Sequence, residues 1–463
     1  MKNINKLSII GIISILCVAC TSLRLEDKKK ENIQVNPSLE VSTTSMNSEK
    51  NMEYVLGKAT EESLRENIIN ISQYDRSLNS KEKEKAIDYI INNLNELGYN
   101  SYIQNAPVYY QESYLKEPKY DEIIGETSNL IAEHINNKPN QKTIYLTAHY
   151  DNTPNNTSGV IDNASGVTVL MELAKMLQHY NKNLNIIFVF LDSEEHFLQG
   201  SRAFVKNLSN LEKEKILGVI NVDMVGELGA GDIIMKFGTG EHNVLSLMWN
   251  HILNNKTKID IGIMTDEVSF KEAKIPAITL ENSNPNLSIS NEENQLQYID
   301  YEQLLTITKD IATFINEFDM NYYNKLLNNE IDLKSNWSSL SRIYYIENAN
   351  IIDTGLNLTE NGAVNEGIFT YQTTNGKMFK ISIIPGIFWD NNDHLQFNSI
   401  INEKFSKPVM YYHIDENESG ELTITYYNQV YYGKLQGNIS ESEAIEILSS
   451  FHQSTCYGEY IVP

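Results

Sequence analysis

Ile144-Tyr145-Leu146-Thr147-Ala148-His149-Tyr150-Asp151, Ile186-Ile187-Phe188-Val189-Phe190-Leu191-Asp192-Ser193-Glu194-Glu195 and Leu217-Gly218-Val219-Ile220-Asn221-Val222-Asp223 share one plan. In each, a short apolar run rich in β-branched and aromatic residues ends in an acid or an imidazole. Runs of this length between polar loops read as strands buried on both faces of a parallel sheet. An open α/β sheet gathers the carboxyl ends of its parallel strands along one edge, where such folds place their ligands. His149, Asp151, Asp192, Glu194, Glu195 and Asp223 should therefore converge despite their separation in sequence. Converging carboxylates repel one another unless a cation lies among them, and a divalent metal is the simplest candidate.

The chain has 463 residues, enough for two or three domains, and 41% apolar residues with which to fill their cores. A formal charge of −24 excludes the basic footprint that a nucleic-acid partner needs. Cys17, Cys20 and Cys456 are its only cysteines, too few for a disulfide framework.

Lys2 and Lys6 precede an apolar run from Leu7 to Val18, followed by Ala19 and Cys20. That run is shorter than the roughly 20 residues of a spanning helix, so residues 1–20 read as a signal segment. Its end resembles a bacterial lipoprotein signal, which implies a lipidated Cys20, a membrane anchor and an extracytoplasmic location; ordinary secretion is the alternative. Residues 21–51 are polar and short of aromatics, and read as a tether. Helical periodicity between Glu53 and Leu97 is clearest at Ala86, Tyr89, Ile90, Asn93, Leu94 and Leu97, with Gly98 as a stop. Tyr102 to Tyr114 reads as an edge strand and loop, and Ser128 to Ile135 as a strand. Asn163 caps an expected helix from about Ala164 to Tyr180 whose buried stripe is Val167, Leu170, Met171, Ala174 and Leu177. Asp162, just ahead of it, reads by itself equally as a capping carboxylate. Ile275 to Leu280 is a late strand, and Tyr301 to Phe318 a closing helix. From residue 320 tyrosine becomes dense, and alternating runs at Lys377 to Ile384, Pro408 to His413, Leu422 to Tyr427 and Val430 to Leu435 predict an antiparallel sheet. A final amphipathic helix follows from Ser440 to Phe451.

Four ordered motifs now stand together: Ala148-His149-Tyr150-Asp151, Asp162-Asn163-Ala164-Ser165-Gly166-Val167, Asp192-Ser193-Glu194-Glu195 with Gly200-Ser201-Arg202-Ala203-Phe204, and Asn221-Val222-Asp223-Met224-Val225-Gly226. They resemble the successive motifs of the M28 family of zinc peptidases, over about Glu53 to Phe318. The resemblance implies a three-layer α/β/α zinc-exopeptidase-like domain with a mixed, largely parallel sheet over residues 52–319, and leaves residues 320–463 as a C-terminal α+β accessory domain. Gly420 to Phe451 resembles a small domain of unknown function of bacterial extracytoplasmic proteins, which names no activity. The family pattern further implies that His149 and Asp223 bind one zinc, that Asp162 bridges to a second, and that Glu195 holds the second. Asp151 would orient His149, and Glu194 would be the general base acting on a metal-activated water.

Two positions depart from that pattern. Ser290 stands where the family has its fifth ligand, a histidine, and Asp266-Glu267 stands where it often has Asp-His. The second metal would then keep Asp162 and Glu195 alone, unless Glu267, Glu292, Glu293, His196 or His251 reaches in. The expected function is an extracytoplasmic zinc aminopeptidase acting on peptides. The alternatives are a degenerate member that binds peptide or a protein partner without turnover, and a one-metal enzyme acting on a peptide N-terminus by transfer or cyclisation. Oligomeric state is left open by the sequence.

Overall fold

The computed structural model describes residues 58–113, 116–154, 158–180, 184–237, 243–254, 257–261, 264–286, 295–328, 330–331, 344–345, 349–358, 362, 364–384, 398–400, 409–416, 421–427, 432–449 and 452–453. The signal segment 1–20, the tether 21–51, the three cysteines, and Ser290, Glu292 and Glu293 lie outside these residues.

Helix α1 (Glu61–Ser72) is capped by Thr60, whose side chain accepts from the Ser63 N–H. Helix α2 (Lys83–Glu96) ends as expected near Gly98, which takes the left-handed φ of 84° that glycine adopts at little cost. Strands β1 (Tyr99–Tyr110) and β2 (Lys119–His134) form one long antiparallel hairpin. It extends well beyond the short strands read from the sequence, because its outer part, Tyr120 and Ile123 included, is exposed and shows no buried alternation. Then come β3 (Lys142–His149), α3 (Ser165–Met176), β4 (Leu184–Leu191), α4 (Gln199–Asn207), the short α5 (Asn210–Lys213) and β5 (Ile216–Val222). Strand β6 (Ile233–Phe237), α6 (Val244–Ile252), β7 (Lys258–Ile261), α7 (Glu267–Glu272), β8 (Ala277–Asn282), α8 (Tyr301–Glu317) and α9 (Met320–Leu327) complete this part of the chain.

The eight strands lie in the order β1-β2-β4-β3-β5-β8-β6-β7. At the centre, β4, β3, β5 and β8 are parallel neighbours, while β1, β2 and the β8–β6 contact are antiparallel. Side chains alternate between two cores, as the strand period of two requires. Ile144, Leu146, Phe188, Phe190, Ile220 and Ile278 enter one core, with α1, α2, α3, α6 and α8. Tyr145, Ile187, Val189, Val219 and Ala277 enter the other, with Phe204 and Val205 of α4 and Phe270 of α7. Helices thus cover both faces of a mixed sheet, the expected three-layer architecture. Each fully buried phenylalanine in it contributes about 1.5–3 kcal/mol of apolar burial.

Helix α3 differs from its sequence reading in two ways. It stops at Met176, and it is buried almost all round, with Val169 and Leu173 as enclosed as the expected stripe. The reason is that α1 and α8 pack over the side that would otherwise face water. Helix α9 sends Tyr323 and Leu326 into the same core, where the Tyr323 hydroxyl donates to the Leu217 carbonyl at 3.0 Å.

Beyond the two-residue β9 (Tyr344–Tyr345), strands β10 (Ala349–Leu358), β11 (Val364–Thr373), β12 (Met378–Ile384), β13 (Asn398–Ile400), β14 (Val409–Glu416), β15 (Leu422–Tyr427) and β16 (Tyr432–Gly437) form a second sheet. It is antiparallel throughout, in the order β10-β11-β12-β16-β15-β14-β13. Tyr371 and Phe379 stack on one of its faces at 5.2 Å, and Ala444 and Leu448 of α10 (Glu441–Ser449) are buried. The two-residue β17 (His452–Gln453) pairs back with β9.

One close approach holds α4 to the end of β4. A Cβ on Gly200, in the first turn of α4, would come within 1.6 Å of the Asp192 main-chain oxygen. Gly200→Ala is expected to force the two segments apart at a cost of about 1–3 kcal/mol, read as a lower urea midpoint. An unchanged midpoint would contradict this packing.

Candidate metal centre

Strand register places the first two groups. Thr147 of β3 pairs with Asn221 of β5, so His149 and Asp223, each two residues further on, leave the sheet side by side. Asp162 arrives from a π-helical turn, Val160–Ala164, in which the Asp162–Asn163 peptide is cis. Asn163 pins that turn to the end of β5: its amide donates to the Val222 carbonyl at 2.9 Å, and its oxygen accepts from the N–H groups of Gly166 and Met224. Asn163 therefore takes the capping contact with Gly166, and Asp162 is left free to point at His149.

His149 Nε2 lies 3.0 Å from Asp162 Oδ1 and 3.3 Å from Asp223 Oδ1, and His149 Nδ1 lies 3.4 Å from Asp151 Oδ1. Among the described residues, His149, Asp162 and Asp223 form a group whose ligand atoms all lie within 4.8 Å of one another. Both imidazole nitrogens and Asp223 Oδ1 are buried, yet none meets hydrogen-bond geometry with a neighbour. Buried polar atoms are seldom left in that condition. One histidine nitrogen and two carboxylate oxygens gathered at one point, with the nitrogen and Asp223 Oδ1 unsatisfied, fit a divalent ion such as zinc.

The strand-end acids do not all join this group. Asp192 turns away from it: Lys83 Nζ lies 2.7 Å from its carboxylate, which also accepts from the N–H groups of Ser128 and Ser193. Nothing in the apolar run of β4 distinguishes Asp192 from its neighbours; its partner Lys83 is 109 residues away. Ser193, with φ 58°, then makes the sharp turn that leads into Glu194 and Glu195. Asp151 ties that turn to the histidine, accepting from the Glu194 N–H at 3.1 Å and the Glu195 N–H at 3.3 Å. Glu194 is buried. Glu195 is half-buried and stands outside the three-residue group, its Oε1 without a hydrogen-bond partner among the described residues.

Of the other candidate ligands, Glu267 accepts from the hydroxyls of Thr265 and Thr279 in a buried network below the site. The His251 ring stacks on Tyr322 of α9 at 3.7 Å. His196 is half-buried with Nδ1 unpartnered. Asp266 has no place in the expected ligand set. It is fully buried, and neither of its carboxylate oxygens has a hydrogen-bond partner among the described residues.

Burial and crowding work together on these acids. Burial drives the Glu194 carboxyl well above its usual range, and Asp266, Asp223 and Glu195 add to the shift. Burial and Asp162 push Glu195 up to about 9, while burial, Asp223 and Asp151 push Asp266 up to about 7. Burial acts to lower His149, but Asp223 and the carboxylates in contact with it outweigh that and hold the imidazole well above its ordinary value.

Groups whose pKa is higher folded than unfolded bind more protons in the folded state. The stability they supply is complete below the unfolded carboxylate range, about pH 4, and is lost as pH climbs through 7 and then 9. Asp151 is lowered, against the pull of burial, by its contact with His149, so it acts with the opposite sign and only at acid pH. The metal-free protein is therefore expected to melt at progressively lower temperature between pH 5 and pH 9, and zinc to flatten that slope. A metal-free melting temperature that stays level or rises across this window would contradict the electrostatics described.

The model of peptidase family M28 matches residues 129–315, which include every group placed above at the strand ends. Aminopeptidase YwaD of Bacillus subtilis is 32% identical over 141 residues, 28% of this chain and 30% of that protein. A probable zinc metalloprotease of Pyrenophora teres f. teres is 35% identical over 96 residues, 19% of this chain and 20% of that protein. The chain thus spans under a third of the length of these curated relatives. Among solved structures, the aminopeptidase from Aneurinibacillus sp. strain AM-1 aligns with a TM-score of 0.49 and 17% identity, over 57% of this chain and 95% of that one. From residue 129 to residue 315, the chain is similar to peptidase family M28.

Proposed function

We propose that this protein is a zinc-dependent exopeptidase, an aminopeptidase, acting on peptides outside the cytoplasm. One observation carries the reading: His149 and Asp223 present buried, unsatisfied ligand atoms at the strand ends, and Asp162 Oδ1 faces the same imidazole nitrogen at 3.0 Å, with Glu194 buried alongside. The names borne by the relatives, aminopeptidase and zinc metalloprotease, support it. In this reading His149, Asp162 and Asp223 hold a zinc ion, and Glu195 with Asp162 reaches toward a second. Zinc bound there would polarise the scissile carbonyl and lower the pKa of water. Glu194 takes the proton from the attacking water and returns it to the leaving amine. Asp151 sets the base and the ligand relative to each other, since one carboxylate faces His149 Nδ1 and also accepts both N–H groups of the Glu194–Glu195 turn.

The competing reading is a protein that keeps the metal and binds peptide without turnover, and Ser290 at the expected fifth-ligand position is what favours it. One experiment separates the two. Residues 51–463 are purified, zinc per chain is measured, and a panel of aminoacyl and dipeptide substrates is assayed beside Glu194→Gln. Hydrolysis that falls about 10²- to 10⁴-fold in Glu194→Gln, with zinc retained, is the expected outcome. Tight zinc without any Glu194-dependent hydrolysis would leave the binding reading. The extracytoplasmic location rests on residues 1–20. Cells fed labelled palmitate are expected to label the wild type but not Cys20→Ser, and an unlabelled wild type would contradict the anchor.

A further inference from the structure

Arg76 lies in the connection between α1 and α2 and is fully buried. A buried guanidinium is costly unless its donors are satisfied. Here main-chain oxygens satisfy them: Nε donates to the Tyr150 carbonyl at 2.6 Å, Nη1 to those of Ile71, Tyr74 and Ser158 at 3.0–3.1 Å, and Nη2 to that of Gly159 at 2.9 Å. Its own backbone N–H donates to Asn152 Oδ1 at 2.7 Å. Two of these acceptors flank the metal ligands. Tyr150 sits between His149 and Asp151, and the Gly159 carbonyl also accepts from the Ala164 N–H, the bond that closes the turn carrying Asp162. The positive charge faces Asp151 and Asp162 from behind.

We propose that Arg76 is a positioning residue of the metal centre, whose guanidinium fixes the chain after His149 and the chain before Asp162 so that the two ligands meet. The inference rests on reading this centre as a metal site. It adds that site's assembly to a residue remote from the ligands in sequence. Gly159 offers a second lever. Its φ is +46°, and a Cβ there would come within 2.5 Å of Arg76 Nη2, 2.7 Å of Asn152 Cβ and 2.8 Å of the Asp162 main-chain oxygen, pressing on the guanidinium and on the turn that carries Asp162 together.

The test is zinc affinity, measured by competition with a chromophoric chelator on the purified protein, for wild type, Arg76→Met, Arg76→Lys, Gly159→Ala and Leu94→Ala. Leu94 is a buried core residue of α2 and serves as a stability control. Arg76→Met and Gly159→Ala are expected to raise the zinc Kd about 10- to 100-fold, the usual effect of losing a group that orients ligands. Arg76→Lys should not restore it, because a point charge cannot reach carbonyls spread around a planar fork. Leu94→Ala should lower the melting temperature and leave the Kd unchanged. If Arg76→Met does not fold, Arg76→Lys and Gly159→Ala decide the matter. Wild-type zinc affinity in those two variants would overturn the proposal, as would a Kd that rises equally in Leu94→Ala. A wild-type protein without zinc affinity would instead remove the metal-centre reading, and this inference with it.

Discussion

Asp151, Asp223, Glu194 and Asp266 are buried around one imidazole, with Asp162 and Glu195 at the rim. Charges so arranged cannot all be carried without a cation to offset them, since removing a carboxylate from water is costly unless it is paired. His149 supplies at most one positive charge, and Arg76, facing Asp151 and Asp162 from behind, adds one more. The surplus of acid over base at this edge of the sheet is the constraint to which the rest of the arrangement answers.

The fold meets that constraint by register and by turns. Parallel pairing of β3 with β5 sets His149 beside Asp223, and Asn163 locks the approach of Asp162 to the end of β5. Where an acid would add to the repulsion without serving the cluster, the chain supplies a counter-charge. Lys83 takes Asp192, and Lys236 of β6 takes Glu281 of β8 at 2.6 Å. Even so, Glu281 is held up at about 8 by its burial, against the pull of that lysine.

The central strands were readable because a strand buried on both faces needs an unbroken apolar run, and β3, β4 and β5 each have one ending in an acid or an imidazole. The convergence of His149, Asp162 and Asp223 followed from topology and the order of the motifs. What escaped has physical reasons too. Strands β6 and β7 are five and four residues long, too short for a period to show, and Lys236 breaks the apolar pattern of β6 because its charge is matched only across the sheet. Asp192 looked like its neighbours because a salt bridge to a lysine in a distant helix leaves no mark near the acid. Arg76 was invisible because its partners are main-chain oxygens, which every residue has. Glu195 reads as a ligand from its motif, and the geometry leaves it beside the cluster rather than in it.

The surplus of acid at this edge calls for one ion between His149, Asp162 and Asp223. Diffraction from zinc-soaked crystals, recorded on either side of the zinc absorption edge, addresses it directly. An anomalous peak bounded by His149 Nε2 and the two aspartate oxygens is the predicted result; a map empty at that point, with zinc bound only elsewhere on the protein, would contradict it.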